Sequence, residues 1–198
     1  MNTQISLRRT TLETDIVSSF NIYGTGLWHG STSVSFLDHL LTQFTTYSLV
    51  DLKLFCCGDL SNGWHHVVED VGIVFGLLTS RVWETQCKNR FNSAVVAMDG
   101  SLVRLSLDFS GRSRFYWSCE SLSNISSVAD NFSMARIFFD ALVFNCGITA
   151  HVDFIKIDDW HHATEALFKS LGICYKNAFN KNDFHNASTK GKQRLIWR

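Results

Sequence analysis

The sequence predicts an α+β fold built from two similar half-domains, each with helices packed on a mixed β-sheet. Three observations predict it. The chain has 198 residues with 45% apolar side chains, enough for one sizeable core. Short alternating runs and longer helical runs follow one another in the same order twice. The string HHxxE also occurs twice, at His65, His66, Glu69 and at His161, His162, Glu165.

In order along the chain, residues 14–23 and 31–36 alternate as half-buried strands do. A helical pattern follows through Leu37, Leu40, Leu41 and Phe44. Residues 49–57 read as a strand, 58–63 as a polar loop and 64–84 as a long amphipathic helix. The second half offers strands at 94–98, 101–109 and 114–119, a helix at 131–144, a strand at 148–157 and a helix at 161–175. This repetition divides the chain into a first half over 1–88, a second over 89–180 and a polar tail over 181–198, which is either frayed or ordered by a ligand. With no proline in the chain, its turns must rest on Gly, Asn, Asp and Ser.

Eighteen basic residues balance eighteen acidic ones, so no net field draws the chain to nucleic acid or to an acidic membrane. Charged residues make up 18%, below the usual ~25%, which implies that neighbouring subunits cover part of the surface. Six cysteines without a CxxC pair read as reduced thiols of a cytoplasmic protein. No apolar stretch is long enough to span a bilayer, and the N-terminus lacks the apolar core of a signal peptide.

Composition alone would give one HHxxE string in roughly one of a hundred such chains, and two far more rarely. On a helix the first histidine and the glutamate share a face, while the second histidine is rotated by about 100°. Adjacent histidines therefore aim at different places, and two such helices can complete two metal sites. Imidazole with carboxylate suits Mn, Fe, Co, Ni or Zn, and the lack of cysteine in the pattern favours catalytic metal over a closed structural site. As capping residues alone, paired histidines would gain nothing from the positive end of a helix dipole. His39 in FLDHLL and His151 in ITAHVDF would each, taken singly, read as core residues.

Together these motifs resemble the imidazoleglycerol-phosphate dehydratase family. RRTTLET at Arg8, FLDHLL, GDL, HHVVEDVGIVFG, RFNSAVVAMD, DFSGR, GITAHV, HHATEALFK and STKG at Ser188 follow in the family's order over nearly the whole chain. The resemblance implies a βββαβα half repeated twice and a homo-oligomer of twenty-four subunits with active sites between protomers. It implies two manganese ions held by His39, His65, His66, Glu69, His151, His161, His162 and Glu165. It implies dehydration of D-erythro-imidazoleglycerol phosphate to imidazoleacetol phosphate in histidine biosynthesis.

In that reaction a carbon that no carbonyl activates must lose a proton, and metal on the substrate's imidazole would let charge spread into the ring. Glu13, in the LET motif, is the candidate for proton transfer. The phosphate contacts map to Arg90, Arg112, Lys169, Ser188 and Lys190, with Gln43 and Asp99 also on the substrate side.

The chain departs from the family's pattern at several places. Tyr47 stands where the family usually has histidine, and Gly63 and Trp64 replace an acidic pair. Ala97 and Ser113 replace proline, and Ser33 replaces glycine. Two other readings accompany the dehydratase: a catalytically inactive shell that keeps metal only to hold subunits together, and a metal hydrolase that uses a bound water.

Overall fold

The computed structural model describes residues 4–61, 63–119 and 130–179. Its first half runs β1 (Gln4–Thr10), β2 (Thr14–Asn21), β3 (Trp28–Ser31), α1 (Ser35–Ser48), β4 (Asp51–Gly58) and α2 (His65–Gln86). The second runs β5 (Phe91–Met98), β6 (Ser101–Asp108), β7 (Arg114–Cys119), α3 (Asp130–Cys146), β8 (Thr149–Lys156) and α4 (Trp160–Phe179). The two four-stranded sheets have matching orders, β1-β2-β4-β3 and β5-β6-β8-β7. In each, the last pair is parallel, β3 with β4 and β7 with β8, and a helix makes the crossover that parallel strands require. The predicted α+β class and twofold repeat are both present.

Two stretches of the sequence reading need correction. The strand expected over 31–36 is β3, which ends at Ser31. Ser33 then adopts φ 65°, the left-handed region where a glycine fits without strain, and α1 begins at Ser35. β1 was not read from the hydrophobic alternation, although the βββαβα half that the resemblance implies includes it. It is an edge strand whose Ile5 and Leu7 are only half-buried, so its alternation carries little hydrophobic contrast.

Strand alternation turns Ile16, Phe20, Leu52 and Leu54 of the first sheet, and Val103, Leu105, Ala150 and Val152 of the second, into the core. The halves meet helix to helix, α1 against α4 and α2 against α3. Gly76 and Gly172, each eleven residues beyond the first histidine of its HHxxE string, allow this approach. A Cβ at Gly76 would lie 2.6 Å from the Leu142 carbonyl oxygen, and one at Gly172 would lie 2.8 Å from that of Phe44. Three residues further along each helix, Thr79 and Tyr175 meet across the pseudo-twofold in a buried hydrogen bond of 3.0 Å. Gly172→Ala is expected to destabilise the protein by roughly 1–3 kcal/mol, because backbone rather than a flexible side chain must move. Urea denaturation measures this.

Asp51 fastens the 25–27 loop to β4. Its Oδ1 accepts backbone N–H bonds from Thr25, Gly26 and Leu27 at 2.7, 3.1 and 3.0 Å. Burial would raise this carboxyl, but the three donors outweigh it and hold the pKa below the ordinary 3.8. A depressed folded pKa contributes stability above the unfolded value, which is lost as pH falls through the folded one. Asp51→Asn is therefore expected to destabilise more at pH 7 than at pH 3, as denaturant midpoints at the two pH values would show.

Candidate metal and active site

Each HHxxE string opens a long helix, so its histidines sit in the first turn beside the hairpins of its own sheet. The two rings of each pair are nearly perpendicular, at 88° for His65 and His66 and 83° for His161 and His162. That is the divergence expected of neighbours on a helix.

The packing of α1 on α4 brings His39 to the second string. His39 Nε2 and His161 Nε2 each lie 2.8 Å from Glu165 Oε1. The two imidazoles are 43% and 45% exposed, whereas the carboxylate is only 7% exposed. Among the described residues this is the one group of three metal-capable side chains, with donor atoms all within 4.8 Å of one another. Lys169 Nζ stands 3.2 Å from Glu165 Oε2. Burial would raise the Glu165 carboxyl, but hydrogen bonds from His39 and Lys169 hold it below the usual range. Two nitrogens converging on one oxygen at the open rim of a buried carboxylate fit a divalent transition ion. His162 Nδ1 fits the same chemistry: it is buried, 3.4 Å from Asp99 Oδ2, and makes no hydrogen bond among the described residues.

The first string has no such third partner in the described chain. His65 Nε2 lies 3.9 Å from Glu69 Oε2, and both side chains are about half exposed. The helix packed on α2 shows why. His39 lies ten residues before Leu49, which ends α1 with φ 60°; ten residues before Gly147, which ends α3 with φ 75°, stands Ile137. The missing histidine has a counterpart on a strand. Four residues after Gly147 comes His151, on the exposed face of β8 and stacked on Tyr116 at 4.3 Å, where the first half has Lys53. A single chain thus brings His39, His161 and Glu165 together and leaves His151 apart on the outer face of a sheet.

Acids on the hairpin turns face the second histidines. Glu13, between β1 and β2, has Oε1 3.6 Å from His66 Nε2. Asp99 occupies the corresponding turn between β5 and β6, beside His162. Four contacts hold the Glu13 turn. Thr11 Oγ1 accepts the N–H groups of Glu13 and Thr14, Thr14 Oγ1 donates to Asp70, and Arg9 pairs with Asp70 at 2.6 Å. Asp70 is a buried anchor that sequence reasoning missed, although it directly follows the glutamate of the first HHxxE string.

Gln43 is half-buried one turn beyond His39 on α1. Tyr47 lies one further turn along, its ring centroid 6.0 Å from Lys169 Nζ, so a phenol stands beside the lysine. Arg90 and Arg112 meet at Asp108, far along the sheet from the Asp99 turn. Asp108 was also missed, although it begins the DFSGR motif. Ser188 and Lys190 lie outside the described residues. At the first string Gly63 has φ 91° and α2 lacks a side-chain cap. At the second, Asp159 Oδ1 accepts the His161 N–H at 3.1 Å. No helix of the described residues is long and apolar enough to cross a membrane.

The chain is similar to known proteins over nearly its whole length. A family model described as imidazoleglycerol-phosphate dehydratase matches residues 32–175. The dehydratase of that name from Campylobacter fetus is 38% identical over 189 residues, covering 94% of this chain and 98% of that protein. The one from Acetivibrio thermocellus is 39% identical over 198 residues, covering 96% and 99%. Among solved structures, the Staphylococcus aureus enzyme superposes with a TM-score of 0.75 at 31% identity, over 89% of this chain and 98% of that one. The Pyrococcus furiosus enzyme, solved in complex with (S)-C348, gives 0.78 at 31% identity, over 93% and 99%.

Proposed function

Since the chain belongs to the imidazoleglycerol-phosphate dehydratase family, hydro-lyases of histidine biosynthesis, we propose that it works as a cytoplasmic enzyme with two divalent metal sites, manganese being the preferred ion. The carrying observation is the convergence of His39 Nε2 and His161 Nε2 on Glu165 Oε1. These three residues would hold one ion. His65 and Glu69 would hold the other, with His151 supplied by a second copy and His66 and His162 completing the two sites. An outward-facing His151 and a sheet surface that exposes Val95, Tyr116 and Ile155 support such sharing, and with it the twenty-four-subunit assembly.

Bound ions supply Lewis acidity that draws electron density from the substrate's imidazole, so charge at the adjoining carbon can spread into the ring. Glu13 would take the carbon-bound proton, from a turn clamped by Thr11, Thr14 and Asp70. Lys169 carries a positive charge beside Glu165, available to the substrate's phosphate end. Arg90, Arg112, Ser188 and Lys190 complete the phosphate contacts in this reading, with Gln43 and Asp99 orienting the ring and hydroxyls.

Removing metal with a chelator is expected to abolish release of imidazoleacetol phosphate from imidazoleglycerol phosphate, and added Mn(II) to restore it. Full turnover in metal-free protein would end the metal-dependent reading. Metal-dependent assembly with no turnover at any loading would instead identify the inactive shell.

A further inference from the structure

We propose that Asp108 is a positioning residue that sets Arg90 and Arg112 as a single fork for the substrate's phosphate. The inference rests on the reading above that these two arginines meet the phosphate. Asp108 ends β6, opposite Phe91 in register, so it lies beside the residue that leads into β5. Arg90 Nε donates to Asp108 Oδ1 at 2.6 Å and Nη2 donates to Oδ2 at 3.0 Å. Arg112 Nη2 approaches the same Oδ2 at 3.8 Å from the loop after β6.

Both arginines are also held elsewhere. The Arg90 carbonyl accepts from Phe109 N–H at 3.1 Å, and its guanidinium lies 4.7 Å from the Phe91 ring centroid. The Arg112 carbonyl accepts from Thr149 Oγ1 at 3.0 Å. Asp108 thus uses one edge of the Arg90 fork and leaves the Nη1 donors for another acceptor. The side chains are 23% and 68% exposed, so the pair is reachable from solvent. Two cations and one carboxylate leave a net positive charge, which still attracts a phosphate. Without Asp108, two long side chains would have to be ordered when the substrate binds, and that entropy would be lost from affinity.

The test measures steady-state kinetics and inhibition by inorganic phosphate on the assembled, metal-loaded enzyme. Asp108→Asn is expected to raise KM by about tenfold with kcat changed by no more than about threefold, and to weaken phosphate inhibition by a similar factor. Combined with Arg112→Gln, it should add much less than its effect alone, because the two residues act through one geometry. A staple that only held β5 to β6 would lower the denaturation midpoint without this split. If Asp108→Asn does not assemble, Asp108→Glu carries the test, since it keeps the charge but moves the carboxylate by one methylene. Raised KM then supports the proposal, and unchanged KM overturns it. If Arg90→Gln and Arg112→Gln raise both constants while the Asp108 variants leave them unchanged, the phosphate reading stands and the positioning role is overturned. If neither arginine variant moves either constant, the phosphate reading itself fails, and the proposal with it.

Discussion

Glu165→Gln is expected to cut turnover about a thousandfold or more, the equivalent of roughly 4 kcal/mol of transition-state stabilisation. The carboxylate is 7% exposed and receives both imidazoles on Oε1 and Lys169 on Oε2, so three neighbours depend on this one side chain. An amide removes the negative charge that would hold a divalent ion, and it leaves the Lys169 charge unpaired at a mostly buried position. The variant should therefore lose metal from this site. Metal content and initial rate, measured on the same preparation, check this, and a variant with unchanged metal and rate would refute the assignment.

Glu13→Gln should lower kcat by about a hundredfold to ten-thousandfold, with metal content and KM close to those of the parent. The difference from Glu165 follows from the surroundings. Glu13 is half exposed, and among the described residues its carboxylate meets His66, at 3.6 Å. Its turn is held by Thr11, Thr14 and Asp70, not by the Glu13 side chain, so an isosteric amide leaves the local structure in place. Turnover equal to the parent's would remove Glu13 from the chemistry, while loss of metal would make it a structural neighbour of the site.

The fold was legible because both halves repeat their hydrophobic periods. α2, α4, β4 and β6 carry strong contrast between buried and exposed positions, and their limits agree closely with the sequence reading. β1 was missed by hydrophobic alternation because an edge strand with half-buried Ile5 and Leu7 hardly differs from a polar loop. The 31–36 segment misled because Val34 and Phe36 alternate with polar residues. Val34 in fact precedes α1, and Phe36 lies in its first turn.

At the site, the two HHxxE strings were visible by spacing alone. Which histidine joins which string was not, because that depends on α1 crossing α4 through contacts between distant parts of the chain. The resemblance supplied His39 and His151 as ligands. The structure places His39 against Glu165, and strand alternation on β8 turns His151 to an outer face, while Ile137 stands on α3 where α1 has His39. Asp70 and Asp108 escaped notice because a buried anchor and a solvated carboxylate look alike until their arginines are placed.

Metal-to-chain ratio, determined by elemental analysis on the assembled particle whose mass is measured alongside, bears most directly on this picture. About two divalent ions per chain in a multi-subunit particle are expected, falling to about one when His151 is replaced by Asn. A fully active particle with less than one ion per chain, or a His151→Asn particle that keeps both, would contradict it.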